Sequence, residues 1–358
     1  MIRVEKKLML LKISDLKTGM VIGEDVQENN NVLLSKNVVI SDKILNKLQT
    51  LYNIDEVWVY GEDSLEKAEN SKKNSEREFK KVEHKLNEIC EDLHDVLDNT
   101  VELQKDSLKE IRKLISELQN VIKIPEILID NLLFYGSEND SIYRHSLNVA
   151  SISSLLGKWI GFEENKIKLL IYSALLHDIG KCKIDDKIIN KSGRLNSKDL
   201  KKIKEHPVLG YKIIKKINFL DKSVSQSILL HHEREDGSGY PLGITGEKIP
   251  DFAKVIAIAD VFEAINSNRC YRNKKSPFEA IQIIKEESFG KLDYNYCNIF
   301  LEHIVNYYIG REVKLNNNKI AKIVQMNINE LDRPFVFLEN EFLDLKENKD
   351  LIIEQFIL

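Results

Sequence analysis

His177 and Asp178 end the apolar run Ile171-Tyr-Ser-Ala-Leu-Leu and are followed by Ile179, Gly180 and Lys181. An ionised Asp beside a His in such a setting must be paired, hydrogen-bonded or metal-bound, because a buried unpaired charge is costly. Taken alone, the pair reads most simply as a satisfied core histidine with a capping carboxylate. It is not alone. His145 stands in Tyr143-Arg-His-Ser, His206 precedes Pro207, His231 and His232 are adjacent, and Asp260 interrupts Val255-Ile-Ala-Ile-Ala. Five separate places thus supply seven metal-binding side chains, more than one tetrahedral ion needs. Two ions about 3.5–4 Å apart, bridged by Asp178 and sharing a hydroxide, account for that number. Imidazoles with few carboxylates favour Fe, Mn or Zn over Ca or Mg. Two divalent cations against Asp178 and Asp260 leave a net positive site that wants an anion, and a phosphodiester fits it. Lys181, expected on the same helix face as Asp178, adds positive charge toward the phosphate.

These residues need a scaffold. From Asn139 to about Tyr308 the helical patterns are apolar on wide faces (Val149 to Leu156, Ile167 to Leu176, Val255 to Ile265, Ala280 to Ile284), and the segment holds six of the eight histidines. Before it, Glu62 to Tyr135 contains no glycine and only Pro125, the composition of long exposed helix. Phe79, Val82, Leu86, Ile89, Leu93 and Val96 step by three and four, and so, after a phase shift, do Leu108, Ile111, Ile115, Leu118 and Ile122. A helix pair within the chain is one reading and a parallel coiled coil is the sharper one; the seam is short before its break, so the expectation is a homodimer that also leans on other contacts. His84 and His94 belong on its surface. Residues 8–61 read as a small α+β domain, with strands near Met20 to Ile22, Val32 to Leu34, Val38 to Ile40 and Glu56 to Tyr60, and a helix from Lys43 to Leu51 started by Ser41-Asp42. After Gly310, alternating runs at Glu312 to Leu315, Ile320 to Met326 and Pro334 to Leu338, with a turn at Asn316 to Asn318, predict a β-rich tail.

The HD superfamily of metal-dependent phosphohydrolases carries a His-Asp pair like His177-Asp178 with Gly180 and Lys181. The string His231-His232-Glu233-Arg-Glu-Asp236-Gly237-Ser-Gly239-Tyr240-Pro241 resembles the extended signature of its HD-GYP subgroup. Similar correspondence runs through Asn190-Lys191-Ser-Gly193, Ile203-Lys-Glu-His206-Pro207 with Gly210, and Ala259-Asp260-Val-Phe-Glu-Ala264 with Arg269 and Tyr271-Arg272. The resemblance implies a mainly α protein: an HD-type helical bundle at 136–308, preceded by the α+β domain at 8–61 and a helical connector at 62–135, and followed by the β-rich extension at 309–358. It implies hydrolysis of cyclic di-GMP to pGpG by a metal-bridging hydroxide, with the final product, pGpG or GMP, left open. His145, His177, Asp178, His206, His231, His232 and Asp260 fall on the family's metal ligands. Lys181, Tyr240, Arg269 and Arg272 fall where members contact substrate. The expected cofactors are two divalent ions, Fe or Mn. Members with a third ion carry a Glu where this chain has Ser141, so a third is expected only if Asp140 reaches. A binding module that acts through diguanylate cyclases, or an enzyme for another cyclic dinucleotide, is the alternative.

Composition narrows the partners. Of 358 residues, 42% are hydrophobic and 31% charged, which suits a globular chain with solvated helices. Lys and Arg number 53 against 57 Asp and Glu, a formal charge of -4, so no overall positive field draws in nucleic acid polymers or anionic membranes. Cys90, Cys182, Cys270 and Cys297 form no CxxC pair, which argues against disulfides and a zinc knuckle, and Cys182 is expected to pack as a small residue. Lys12 and Asp15 interrupt the N-terminal apolar run, and no run of about 18 apolar residues follows, so the expectation is a cytoplasmic protein with no membrane span.

Overall fold

The computed structural model describes residues 8–17, 20–24, 26–28, 31–34, 40, 45, 48, 54–60, 79–96, 107–122, 128–129, 131–132, 142–189, 191, 195–217, 220–266, 277–327, 330–339 and 341–357. The Ser41-Asp42 helix start, the strand near Val38, Asp140, Ser141, Asn190, Gly193, Arg269, Cys270 and Arg272 lie outside them. The chain forms two compact units, Phe79–Ile304 and a second made of Met1–Glu78 with Val305–Leu358.

The second unit joins sequence-distant ends. Strands β1 (Leu8–Lys12), β2 (Val21–Ile22) and β5 (Glu56–Tyr60) form an antiparallel sheet in the order β1-β5-β2, with Leu10 opposite Trp58, while β3 (Val26–Glu28) pairs with β4 (Asn31–Leu34). The tail is a five-stranded antiparallel sheet ordered β10-β6-β7-β8-β9, built from β6 (Glu312–Leu315), β7 (Ile320–Gln325), β8 (Phe335–Leu338), β9 (Glu341–Asp344) and β10 (Ile353–Ile357). Alternation made β6, β7 and β8 legible: Val313, Leu315, Ala321 and Ile323 are buried between more exposed neighbours. The turn joining β6 to β7 uses Asn318 at φ 64, a left-handed geometry Asn tolerates. Phe337 and Phe342 pack on the core of Ile13, Ile22, Val26, Val57 and Val59. The strands at β1, β9 and β10 were not apparent from sequence, because mixed burial along them blurs the period of two.

The other unit is helical. It contains α1 (residues 79–96), α2 (Ser107–Val121), α3 (Ile142–Ile160), α4 (Glu164–Leu175), α5 (Ser197–Ile203), α6 (His206–Ile214), α7 (Lys222–Leu230), α8 (Asp251–Asn266), α9 (Pro277–Glu287) and α10 (Tyr294–Asn306). Capping sets several of its boundaries: Asn196 accepts a hydrogen bond from the Asp199 N–H to start α5, and Asp221 one from Ser223 to start α7. Helix α8 is apolar around most of its circumference and is correspondingly buried along its length. It packs against α3, which packs against α4, and α7 touches α4, α6 and α8. No described helix is long and apolar enough to cross a membrane.

The stepped apolar positions of α1 and α2 are satisfied inside this unit. Val82, Leu86, Ile89, Leu93 and Val96 are buried, as are Ile111, Ile115, Leu118 and Ile122, and Lys85 bridges to Glu117 at 3.1 Å. Arg144 on α3 donates to Asn87 on α1 at 2.7 Å, so α1 lies against the bundle. The seam that motivated a homodimer is therefore covered within the chain, and any dimer must rest on other surfaces. His84 and His94 are exposed as expected.

Candidate metal centre and active site

The seven expected ligands converge from five elements. Helix α3 supplies His145; α4 ends at Leu175 and a turn presents His177 and Asp178; α6 begins at His206; α7 ends just before His231 and His232; and α8 carries Asp260. Asp178 does not continue a helix, as the sequence reading assumed. The chain turns over Leu176 to Asp178 and tightens into a 3-10 segment, Ile179–Lys183. Gly180 sets this turn against α6: a Cβ there would stand 2.0 Å from the His206 carbonyl oxygen and 2.6 Å from the Gly210 nitrogen. Only hydrogen fits, and the close approach brings His206 Nε2 to 3.1 Å from Asp178 Oδ1.

Tautomers follow from the partners. A carbonyl can only accept, so Nδ1 of His177 donates to Ala174 O at 2.7 Å, Nδ1 of His206 to Ile203 O at 2.7 Å and Nδ1 of His231 to Ile228 O at 2.8 Å. When neutral, each ring turns a bare Nε2 lone pair inward. Two of these, on His206 and His231, face each other at 3.3 Å, an arrangement that needs a cation or a proton between them. His177 Nε2 and Asp178 Oδ1 are buried and make no hydrogen bond among the described residues. Ligand atoms of Asp178, His206, His231 and His232 all lie within 4.8 Å of one another, and so do those of His145, His177 and Asp178. Asp178 belongs to both groups, and Asp260 stands between them, 3.2 Å from His145 Nε2 and 4.0 Å from His232 Nδ1. Buried, unsatisfied donor atoms of this kind fit divalent ions.

Electrostatics point the same way. Burial pulls the His231 imidazole well below its ordinary range, and neighbouring His232 adds to this. His232 is pulled down to about 3, by burial and by His206 against the opposing pull of Asp260. Both rings are therefore neutral ligands at neutral pH. Burial acts to raise Asp178, but Lys181 and His177 outweigh it and hold the carboxyl well below the ordinary range; His145 does the same for Asp260. The His145 ring itself is lowered by burial, yet Glu263 and Asp260 overcome this and raise it to about 10. For metal-free protein the signs are opposite on the two sides of neutrality. His145 contributes stability that is full below its unfolded value of 6.5 and is lost as pH rises toward 10. His232, Asp178 and Asp260 bind protons less readily folded than unfolded, so their contribution is lost as pH falls. Chelator-treated protein is expected to be most stable near neutral pH, with flanking slopes of up to about 1.4 kcal/mol per pH unit for each titrating group. Urea midpoints measured from acid to alkaline pH check this, and a monotonic trend would contradict it.

Lys181 Nζ lies 2.5 Å from Asp178 Oδ2, where it supplies the countercharge while remaining 23% exposed. The Tyr240 ring stacks on His232 at 4.6 Å and 24°, and Lys204 Nζ sits 4.9 Å from its centroid. Sequence reasoning overlooked how this loop is held. Glu233, 2% exposed, accepts hydrogen bonds from the backbone N–H groups of Leu242 (2.7 Å), Gly243 (3.2 Å) and Ile244 (3.1 Å). Gly237 has a positive φ, 78°, whereas Gly239 is needed for space: its Cβ would meet Glu233 Cα at 2.4 Å and His232 O at 2.5 Å. Glu263 was also overlooked, although it lies one turn from Asp260 on an apolar helix, where a second carboxylate is costly. One expectation fails: Cys182 is exposed rather than packed. The segment's sixth histidine, His303, was not an expected ligand and stacks on Trp159 at 4.7 Å, outside both ligand groups.

A helical bundle that focuses histidines and aspartates on one shared carboxylate is a site for divalent metal. Residues 124–295 match the model of the HD domain family. It is 29% identical over 224 residues to a cyclic di-GMP phosphodiesterase of Pseudomonas aeruginosa, covering 62% of this chain and 54% of that protein. It is 35% identical over 167 residues to a 3′3′-cGAMP-specific phosphodiesterase of Vibrio cholerae, covering 46% and 38%. The chain thus spans about half or less of the length of these relatives. A solved HDG"Y"P protein from Bdellovibrio bacteriovorus shares the fold with a TM-score of 0.53 and 17% identity, over 83% of this chain and 99% of that one.

Proposed function

We propose that this chain hydrolyses cyclic di-GMP with two divalent ions, Fe or Mn. The observation that carries the reading is the pair of ligand groups joined at Asp178, beside a loop that presents Tyr240. Ions held there supply Lewis acidity to the phosphoryl oxygens and lower the pKa of water. Of the chain's own groups, His145, His177 and Asp260 hold one side of the centre and His206, His231 and His232 the other, with Asp178 common to both. Lys181 exchanges its contact with Asp178 for the substrate phosphate, and Tyr240 offers a ring edge and hydroxyl to a guanine. Arg269 and Arg272, outside the described residues, would complete the phosphate and base contacts that the resemblance implies. Water adds to phosphorus, the bond to the ribose 3′ oxygen breaks, the leaving oxygen takes a proton, and the ring opens to pGpG. A second hydrolysis gives GMP.

Sequence similarity to a relative named for 3′3′-cGAMP favours that dinucleotide as the competing substrate. Protein loaded anaerobically with Fe(II) or Mn(II) is incubated with each dinucleotide and the products are separated by chromatography. Conversion of cyclic di-GMP to pGpG, faster than that of 3′3′-cGAMP, is expected. Faster conversion of 3′3′-cGAMP would replace the substrate, and no turnover with any ion would leave a binding module acting through a partner such as a diguanylate cyclase. Sedimentation in the same buffer tests whether the chain forms the expected homodimer through other surfaces.

A further inference from the structure

Three of the histidines are oriented alike, each donating Nδ1–H to the carbonyl three residues earlier in the chain. His145 is different. Its Nδ1 donates to Glu263 Oε2 at 2.5 Å, and Asn148, one turn further along α3, donates Nδ2–H to Glu263 Oε1 at 3.1 Å. On the facing helix α8, Asp260 stands one turn before Glu263, with Oδ1 3.2 Å from His145 Nε2. Two helices therefore present matched pairs three residues apart, His145 with Asn148 and Asp260 with Glu263. The Glu263 carboxylate is only 4% exposed, a placement that costs stability unless the charge is used.

A carboxylate accepts more strongly than a neutral carbonyl, so it fixes the ring and puts more electron density on the opposite nitrogen. We propose that Glu263, steadied by Asn148, is a positioning residue that orients and strengthens His145 as a ligand, so that one ion of the pair depends on Glu263 and the other does not. The proposal rests on the ligand assignment given above. Its consequence is an asymmetric centre: the ion beside His145 and His177 is held more tightly than a carbonyl-oriented imidazole would allow.

The test is calorimetric titration of chelator-treated protein with Mn(II), comparing the natural chain with Glu263→Gln and Asn148→Ala. Glu263→Gln is expected to weaken one ion about 10- to 100-fold while leaving the other within about twofold. Asn148→Ala should weaken the same ion by a smaller factor. A far-downfield exchangeable imidazole proton should be present in the proton NMR spectrum of the natural chain and absent from that of Glu263→Gln. Equal weakening of both ions, or of neither, overturns the proposal. Should Glu263→Gln fail to fold, Asn148→Ala decides by the same selectivity. A natural chain that takes up no Mn(II) defeats the metal reading as well, whereas two bound ions with unchanged affinities in both variants defeat only the role of Glu263.

Discussion

Asp178→Asn is expected to lower turnover of cyclic di-GMP by about a thousandfold or more, an effect of the size seen when one member of a concerted catalytic group is removed. Asp178 is the one side chain common to both ligand groups. Asn keeps the volume but loses the charge and one of the two carboxylate oxygens, so neither ligand group keeps its full donor set. The loss should also appear as metal content, falling from two ions per chain to less than one after purification and gel filtration. Folding should survive: Lys181 loses its partner but is partly exposed and can turn its ammonium to water, while a costly buried carboxylate is removed. Circular dichroism melting separates the two effects. Turnover within tenfold of the natural chain would remove Asp178 from the centre of the mechanism.

Gly180→Ala is expected to damage the same site without touching a ligand. The new methyl would overlap the His206 carbonyl oxygen and the Gly210 nitrogen, both backbone atoms that cannot rotate aside. Helix α6 must then move away from the Ile179–Lys183 segment and carry His206 from its place 3.1 Å from Asp178. Overpacking of this kind costs about 3 kcal/mol, which for a unit of this size lowers Tm by roughly 6–12 °C. Metal retention should fall with it, because His206 and Asp178 share a ligand group. Thermal melts and metal analysis of the variant check both; an unchanged Tm would show that the backbone contact relaxes freely.

The candidate metal-binding residues of this protein are legible in its sequence because polar and charged groups are costly in apolar surroundings. His177-Asp178 after a buried run, and Asp260 inside α8, stand out wherever charge must be explained. The helices were legible for a related reason: apolar faces repeat at 3.6 residues in α3 and α4, and α8 is apolar nearly all round, whether or not their partners are known. Strands β6, β7 and β8 showed through their period of two.

Other features depend on non-local contacts, which no local pattern records. Glu233 gains its role from N–H groups nine to eleven residues later in the chain, brought round by the loop. Glu263 gains its role from His145, 118 residues away. Gly180 could have been any turn glycine until α6 was laid against it. The stepped seam of α1 predicts an apolar partner but cannot say which one, and here the bundle supplies it. Likewise strands from the N-terminal and C-terminal parts of the chain share one core because Phe337 of β8 and Phe342 of β9 close on it, a contact that exists only once the chain has folded. Residue type and period thus fixed which groups can do chemistry and which faces must be buried; distance and direction, which decide what each group meets, belong to the tertiary structure alone.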